Sequence, residues 1–143
     1  MAFGLHWEWR GFGRLTDDLR HRIEELPLKF PTSQEVTDEY LWVPDAKVNV
    51  KLRFQDLKLK RLLEQSGPFQ RWLEDEAENF SFPLSPAVLA ELARSLGVSL
   101  PTAATGPVAR SDLLRMIRGA TPEVLRVTVV KSRWQHDLDL GTA

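Results

Sequence analysis

The chain has 143 residues, a formal net charge of −1 and no cysteine, which leaves room for one domain with a real core and excludes disulfides, thiolate zinc sites and a cysteine nucleophile. A hydrophobic share of 43% and a charged share of 27% belong to a globular chain rather than a disordered one. Near-neutral charge disfavours nucleic-acid coating and membrane-surface adhesion, no apolar run of about 18 residues is present to span a bilayer, and a cytoplasmic location is the default expectation.

Leu5, Trp7 and Trp9 alternate with His6, Glu8 and Arg10, so residues 5–10 are expected to form a first strand with one apolar and one polar face. An acidic, aromatic N-terminus of this kind is not expected to be a signal peptide. Gly11-Phe12-Gly13 closes the strand. Thr16 is a helix N-cap, Asp17 and Asp18 suit the first turn, and the helix is predicted from Asp17 to about Leu26, before Pro27. After a loop over Phe30–Ser33, Gln34–Val43 is a predicted second strand ended by Pro44-Asp45. A cationic hairpin follows from about Lys47 to Glu64, then a break at Ser66-Gly67-Pro68. Phe69–Asn79 is compatible with a short helix or a strand. Ser85-Pro86 opens a helix through Leu96 with Gly97 as its C-cap. Leu100–Val108 reads as loop and Ser111–Ile117 as a short helix leading to Gly119. Leu125–His136 is the last predicted strand, with Lys131 and Arg133 on one face, and a short polar tail follows from Asp137. Strands first, a helical insertion and a strand again make an α+β pattern with an antiparallel sheet, in one domain over 1–143.

The hairpin is the most informative stretch. Val48, Val50, Leu52 and Phe54 alternate with Asn49, Lys51, Arg53 and Gln55, and the parity flips after Asp56, where Leu57 and Leu59 alternate with Lys58 and Lys60. With Gln55-Asp56 at the tip, Arg53 faces Lys58 and Lys51 faces Lys60. Two opposed like-charge pairs destabilise a sheet by some tenths to about 1 kcal/mol each. Carboxylates from other strands or a polyanionic ligand are therefore expected nearby. The opposing reading is a solvated outer face, since lysines on strands also guard against aggregation.

No G-x-S-x-G, P-loop or metal-spaced histidine pattern occurs, and Ser66, Ser111 and Ser132 have no motif around them. The remaining constellation is Glu8 and Arg10, then Lys51, Arg53, Lys58 and Lys60, then Lys131 and Arg133, all on strand faces that a curled sheet would turn toward one lumen. At these residues the chain resembles the CYTH superfamily, the triphosphate tunnel metalloenzymes. His6-Trp7-Glu8-Trp9-Arg10 is similar to the family's opening Glu-x-Glu-x-Lys strand, and Asp38-Glu39-Tyr40 to its acidic-aromatic strand. Lys51-Leu52-Arg53 with Leu57-Lys58-Leu59-Lys60 resembles its basic hairpin, and Lys131-Ser132-Arg133 its Lys-x-Arg strand.

The resemblance implies a partial or complete antiparallel tunnel barrel with helices outside, binding triphosphate- or polyphosphate-bearing ligands. Arg10, Lys51, Arg53, Lys58, Lys60, Lys131 and Arg133 would cradle phosphates. Glu8 would bind Mg²⁺ or Mn²⁺ for triphosphate hydrolysis. Two departures stand out: His6 replaces the family's first glutamate and Arg10 its lysine, a fork that cannot exchange a proton. No acidic strand follows Arg133, so the family's C-terminal strands are expected to be missing. A non-catalytic relative that binds anions or a protein is the alternative, and a plain interaction module with solvated cations is a third. The apolar face holding Trp7 and Trp9 is expected to be core or to join a homodimer if the sheet stays open.

Overall fold

The computed structural model describes residues 3–11 and 13–137. It contains β1 (Phe3–Trp9), α1 (Asp17–Glu24), β2 (Gln34–Trp42), β3 (Val48–Arg53), β4 (Asp56–Ser66), β5 (Phe69–Ser81), α2 (Pro86–Leu96), α3 (Arg110–Ile117) and β6 (Leu125–Arg133). The strands form a six-stranded sheet in the order β1-β5-β4-β3-β2-β6, and β1–β5, β5–β4, β4–β3 and β3–β2 are antiparallel. The fold is thus α+β with an antiparallel sheet. That order is linear, with β1 and β6 as its edges, so the sheet is not closed into a barrel.

Compactness divides the chain into two units, Met1–Arg10 with Asp38–Val129, and Gly11–Thr37 with Val130–Ala143. The first unit holds the hydrophobic core. Leu41 of β2, Val50 and Leu52 of β3, and Leu57 and Leu59 of β4 all point to one face of the sheet. They are buried in one cluster with Leu89, Leu92 and Leu96 of α2 and Leu113 and Ile117 of α3. Each such side chain contributes about 1.5–3 kcal/mol relative to exposure. Apolar residues at helical spacing give α2 its buried stripe, and its ends are set locally. Ser85 Oγ accepts from the Val88 amide at 3.2 Å, and Gly97 takes the left-handed conformation at φ 70°. Glu39 accepts from Arg110 at the start of α3 (3.0 Å) and from Arg126 of β6 (2.6 Å). The two guanidinium groups hold its carboxyl below the usual carboxylate range, the Arg126 hydrogen bond contributing most.

One open reading is decided here and one expectation changes. Phe69–Asn79 is strand rather than helix, because it is paired along one edge by β1 and along the other by β4, with a bulge where Lys58 pairs with Asn79 but Lys60 with Glu74. The hairpin tip is Phe54-Gln55, one residue earlier than expected. Arg53 therefore faces Asp56, Lys51 faces Lys58, and Asn49 faces Lys60. Both registers pair leucine with an apolar partner. The observed one replaces an arginine–lysine opposition with an arginine–aspartate one and leaves one like-charge pair instead of two.

The second unit contains α1 and a short clip in which residues 27–29 meet 135–137. The Lys29 amide donates to the Gln135 carbonyl and the Asp137 amide to the Pro27 carbonyl, each at 2.9 Å. Thr16 caps α1 as expected, accepting from the Leu19 amide at 3.2 Å, but the helix stops at Glu24 rather than Leu26. β6 likewise ends at Arg133, and His136 forms only an isolated bridge with Leu28.

Candidate functional site: a charged face of the larger unit

Because side chains alternate along a strand, the residues between the core leucines share the opposite face of the sheet. In the first unit these are Asp38 and Tyr40 on β2, Lys51 and Arg53 on β3, and Lys58 and Lys60 on β4. Glu74 on β5 and Glu8 on β1 complete the face. The register places Tyr40, Lys51 and Lys58 in a row across three strands and Lys60 opposite Glu74.

Most of these charges satisfy one another. Asp38 is fully buried and receives both Nε (2.6 Å) and Nη2 (2.9 Å) of Arg53, a two-pronged pair. Glu74 is bound by Lys58 and lies 3.4 Å from Lys60 Nζ. Burial disfavours its charge, but the hydrogen bond from Lys58 and the fields of Lys60 and Lys58 outweigh that and hold its carboxyl below the ordinary value. Glu8 takes Nη2 (2.7 Å) and Nε (3.1 Å) of Arg10 on one oxygen, and Lys60 Nζ stands 3.9 Å from the other.

Lys51 is the exception. Its half-buried ammonium has no carboxylate within ion-pair distance among the described residues. Burial, then the repulsion of Arg53, Lys58 and Lys60 against a partial offset from Asp38, pulls its pKa from 10.5 to about 8. With Arg10 counted, five cations share this face with the four carboxylates Glu8, Asp38, Asp56 and Glu74, which leaves one positive charge in excess, and Lys51 is the cation that no carboxylate among the described residues pairs.

The structure thus brings together Lys51, Arg53, Lys58 and Lys60 on one face, with Glu8 and Arg10 at its β1 end. Lys131 and Arg133 lie in the stretch of β6 that belongs to the second unit. Asp38 and Glu74, the carboxylates that neutralise the face, were given no role from the sequence. The alternation of Lys58 and Lys60 called for acidic partners, but Glu74 could be placed only once Phe69–Asn79 was known to be a strand.

Among the described residues no group of three or more histidines, aspartates or glutamates is placed to hold a metal ion. The carboxylate expected to bind metal, Glu8, is already engaged by Arg10 and approached by Lys60. No helix of the described residues is long and apolar enough to cross a membrane. Comparison with protein-family models, curated proteins and solved structures finds no match for this chain.

Proposed function

We propose that this face binds a phosphate-rich anion, a triphosphate or polyphosphate, without a resident metal, and that the chain acts as an anion-binding module rather than a triphosphatase. The observation that carries the reading is Lys51: a half-buried cation among three others, offset in part by Asp38 but with no carboxylate at ion-pair distance among the described residues. A half-buried lysine in a repulsive field costs stability unless an anion meets it. A phosphoryl oxygen on Lys51 would supply that anion. Lys58 and Lys60 share one glutamate and each carry three donors, so both retain donors for further oxygens. The resemblance of the hairpin to the CYTH basic hairpin supports the same ligand class, and a cytoplasmic location suits it.

Titration calorimetry with tripolyphosphate in metal-free buffer is expected to give binding that weakens with salt and disappears in Lys51→Met. Absence of binding to the folded wild-type chain would overturn the reading. Added Mg²⁺ or Mn²⁺ is expected to leave affinity unchanged and to release no orthophosphate. Metal-dependent release would put hydrolysis in place of simple binding.

The tunnel that the CYTH resemblance implies would need the free edges of the sheet closed, and a second copy of the chain is the partner this reading favours at β1. Leu5, Trp7 and Trp9 on that edge strand and Phe69 beside them are exposed, and the Arg71 guanidinium lies 5.9 Å from the Trp7 ring. Sedimentation should then give a dimer that Trp7→Glu dissociates. A monomer at all concentrations would remove the homodimer from the proposal.

A further inference from the structure

The second unit holds a cavity of about 650 Å³, within the usual range for small-molecule sites. Its apolar wall is Leu15, Ile23, Leu28 and Trp134, and its polar groups are Arg20, Glu24 and His136. Two features set it apart from an ordinary surface dent. First, α1 is well capped yet none of its residues is buried, while Leu15, Leu28 and Trp134 are 48%, 44% and 58% exposed. An eight-residue helix has little stability of its own without a covered apolar stripe. Second, the polar groups are complementary in sign and available. Arg20 and Glu24 are one helical turn apart, and neither forms an ion pair among the described residues, whereas Arg22 on the same helix pairs with Asp18 at 3.3 Å. The His136 ring stands with Nδ1 3.0 Å from the Leu26 carbonyl. A carbonyl only accepts, so Nδ1 carries the proton and Nε2 is the nitrogen left for a ligand.

We infer that this cavity binds a small amphipathic zwitterion of the aromatic α-amino-acid class. The carboxylate sits on Arg20, the ammonium on Glu24, and the ring lies against Trp134, Leu15 and Leu28. Residues four apart on a helix have Cβ atoms about 6 Å apart, a span that two long side chains bridge onto the adjacent charges of one amino acid. A molecule carrying a carboxylate alone would meet Glu24 as a repulsive neighbour, and an amine alone would meet Arg20.

The test uses three probes of matched ring: L-phenylalanine, 3-phenylpropionate and 2-phenylethylamine, titrated into the full chain with calorimetry and ¹⁵N/¹H shifts of the His136 ring as readouts. L-Phenylalanine is expected to bind and to move the His136 Nε2 signal, with each singly charged analogue about tenfold weaker or more. Arg20→Gln is expected to weaken phenylalanine and phenylpropionate but not phenylethylamine, and Glu24→Gln to weaken phenylalanine and phenylethylamine but not phenylpropionate. Both residues are exposed, so neither change threatens folding, and the His136 shift needs no variant. Absence of binding by all three probes would overturn the inference. So would equal binding of all three, or indifference to both substitutions. Tripolyphosphate binding at Lys51 is independent of each outcome.

Discussion

Lys51 and Asp38 occupy the same face of the sheet and are handled in opposite ways. Asp38 is wholly buried, yet Arg53 meets both of its oxygens, so the cost of desolvating the carboxylate is offset by two charge-assisted hydrogen bonds. Asp38→Asn leaves the Arg53 guanidinium facing a neutral amide and is expected to destabilise the chain by about 2–3 kcal/mol, measured by urea denaturation. Lys51 has no such partner. Its pKa of about 8 lies below the unfolded value, so between pH 8 and 10.5 the unfolded chain binds more protons than the folded one and stability rises with pH through that window. Below pH 8 the charged ammonium weighs against folding. Lys51→Met is therefore expected to stabilise the apo chain at pH 7 by about 1–2 kcal/mol, after allowing for solvent screening, and to flatten its stability between pH 8 and 10.5. A destabilised variant would mean that Lys51 is satisfied in the folded chain after all. Raised stability with lost anion binding would be the mark of a residue kept for its ligand.

At the scale of elements, the β3–β4 hairpin joins the sequence to the site. Its turn is Phe54-Gln55, and Phe54 lies at φ 51° and is 75% exposed. A bulky residue is strained at positive φ, and a two-residue turn with positive φ at its first position alone is the arrangement that takes glycine there. Phe54→Gly is expected to raise stability by about 0.5–1 kcal/mol in thermal or urea melts, without altering the cationic face. The turn also explains what could be read beforehand. Alternation fixes which side chains share a face, so Lys51, Arg53, Lys58 and Lys60 were placed together from the sequence alone. It does not fix which residue opposes which, because moving the tip by one residue keeps every leucine on the core side. The observed register opposes Arg53 to Asp56 while Arg53 bonds Asp38 and Asp56 accepts from Ser81, polar partners that the apolar pattern does not contain. β5 was ambiguous for a similar reason. Phe69, Trp72 and Leu73 fit helical spacing, and only pairing on both edges and a bulge absorbed between Glu74 and Asn79 make the segment a strand. With β5 undecided, Glu74 had no address, and the carboxylate that neutralises two lysines went unseen. The helix ends were easier: Thr16, Ser85 and Gly97 act through bonds to their immediate neighbours.

For the whole molecule, a formal net charge of −1 gives no hint of the proposed anion site, because Lys51 and its neighbouring cations are gathered on one face of the larger unit. Folding of the core against α2 and α3 commits one side of β3 and the first half of β4 to leucine and valine, and period-two alternation then puts Lys51, Arg53, Lys58 and Lys60 on the other side, while Arg61 further along β4 lies on the core side and reaches Glu91 and Ser95 of α2. The core and the charged face are two consequences of one pattern. The proposed ligand binding on that face would be linked to protons. A bound phosphate favours the ammonium form of Lys51, whereas near pH 8 the free chain holds that site about half protonated. Binding should take up a fraction of a proton near pH 8, and affinity for tripolyphosphate should fall as pH rises from 7 to 9.5. Calorimetry in buffers of different ionisation enthalpy measures the uptake directly. Lys51→Arg supplies a cation that does not titrate in this range, so it should keep binding at pH 9.5 and abolish the uptake. An affinity that is flat from pH 7 to 9.5 in the wild-type chain would show that Lys51 is not the anchoring cation. An unchanged pH dependence in Lys51→Arg would assign the linked proton to another group.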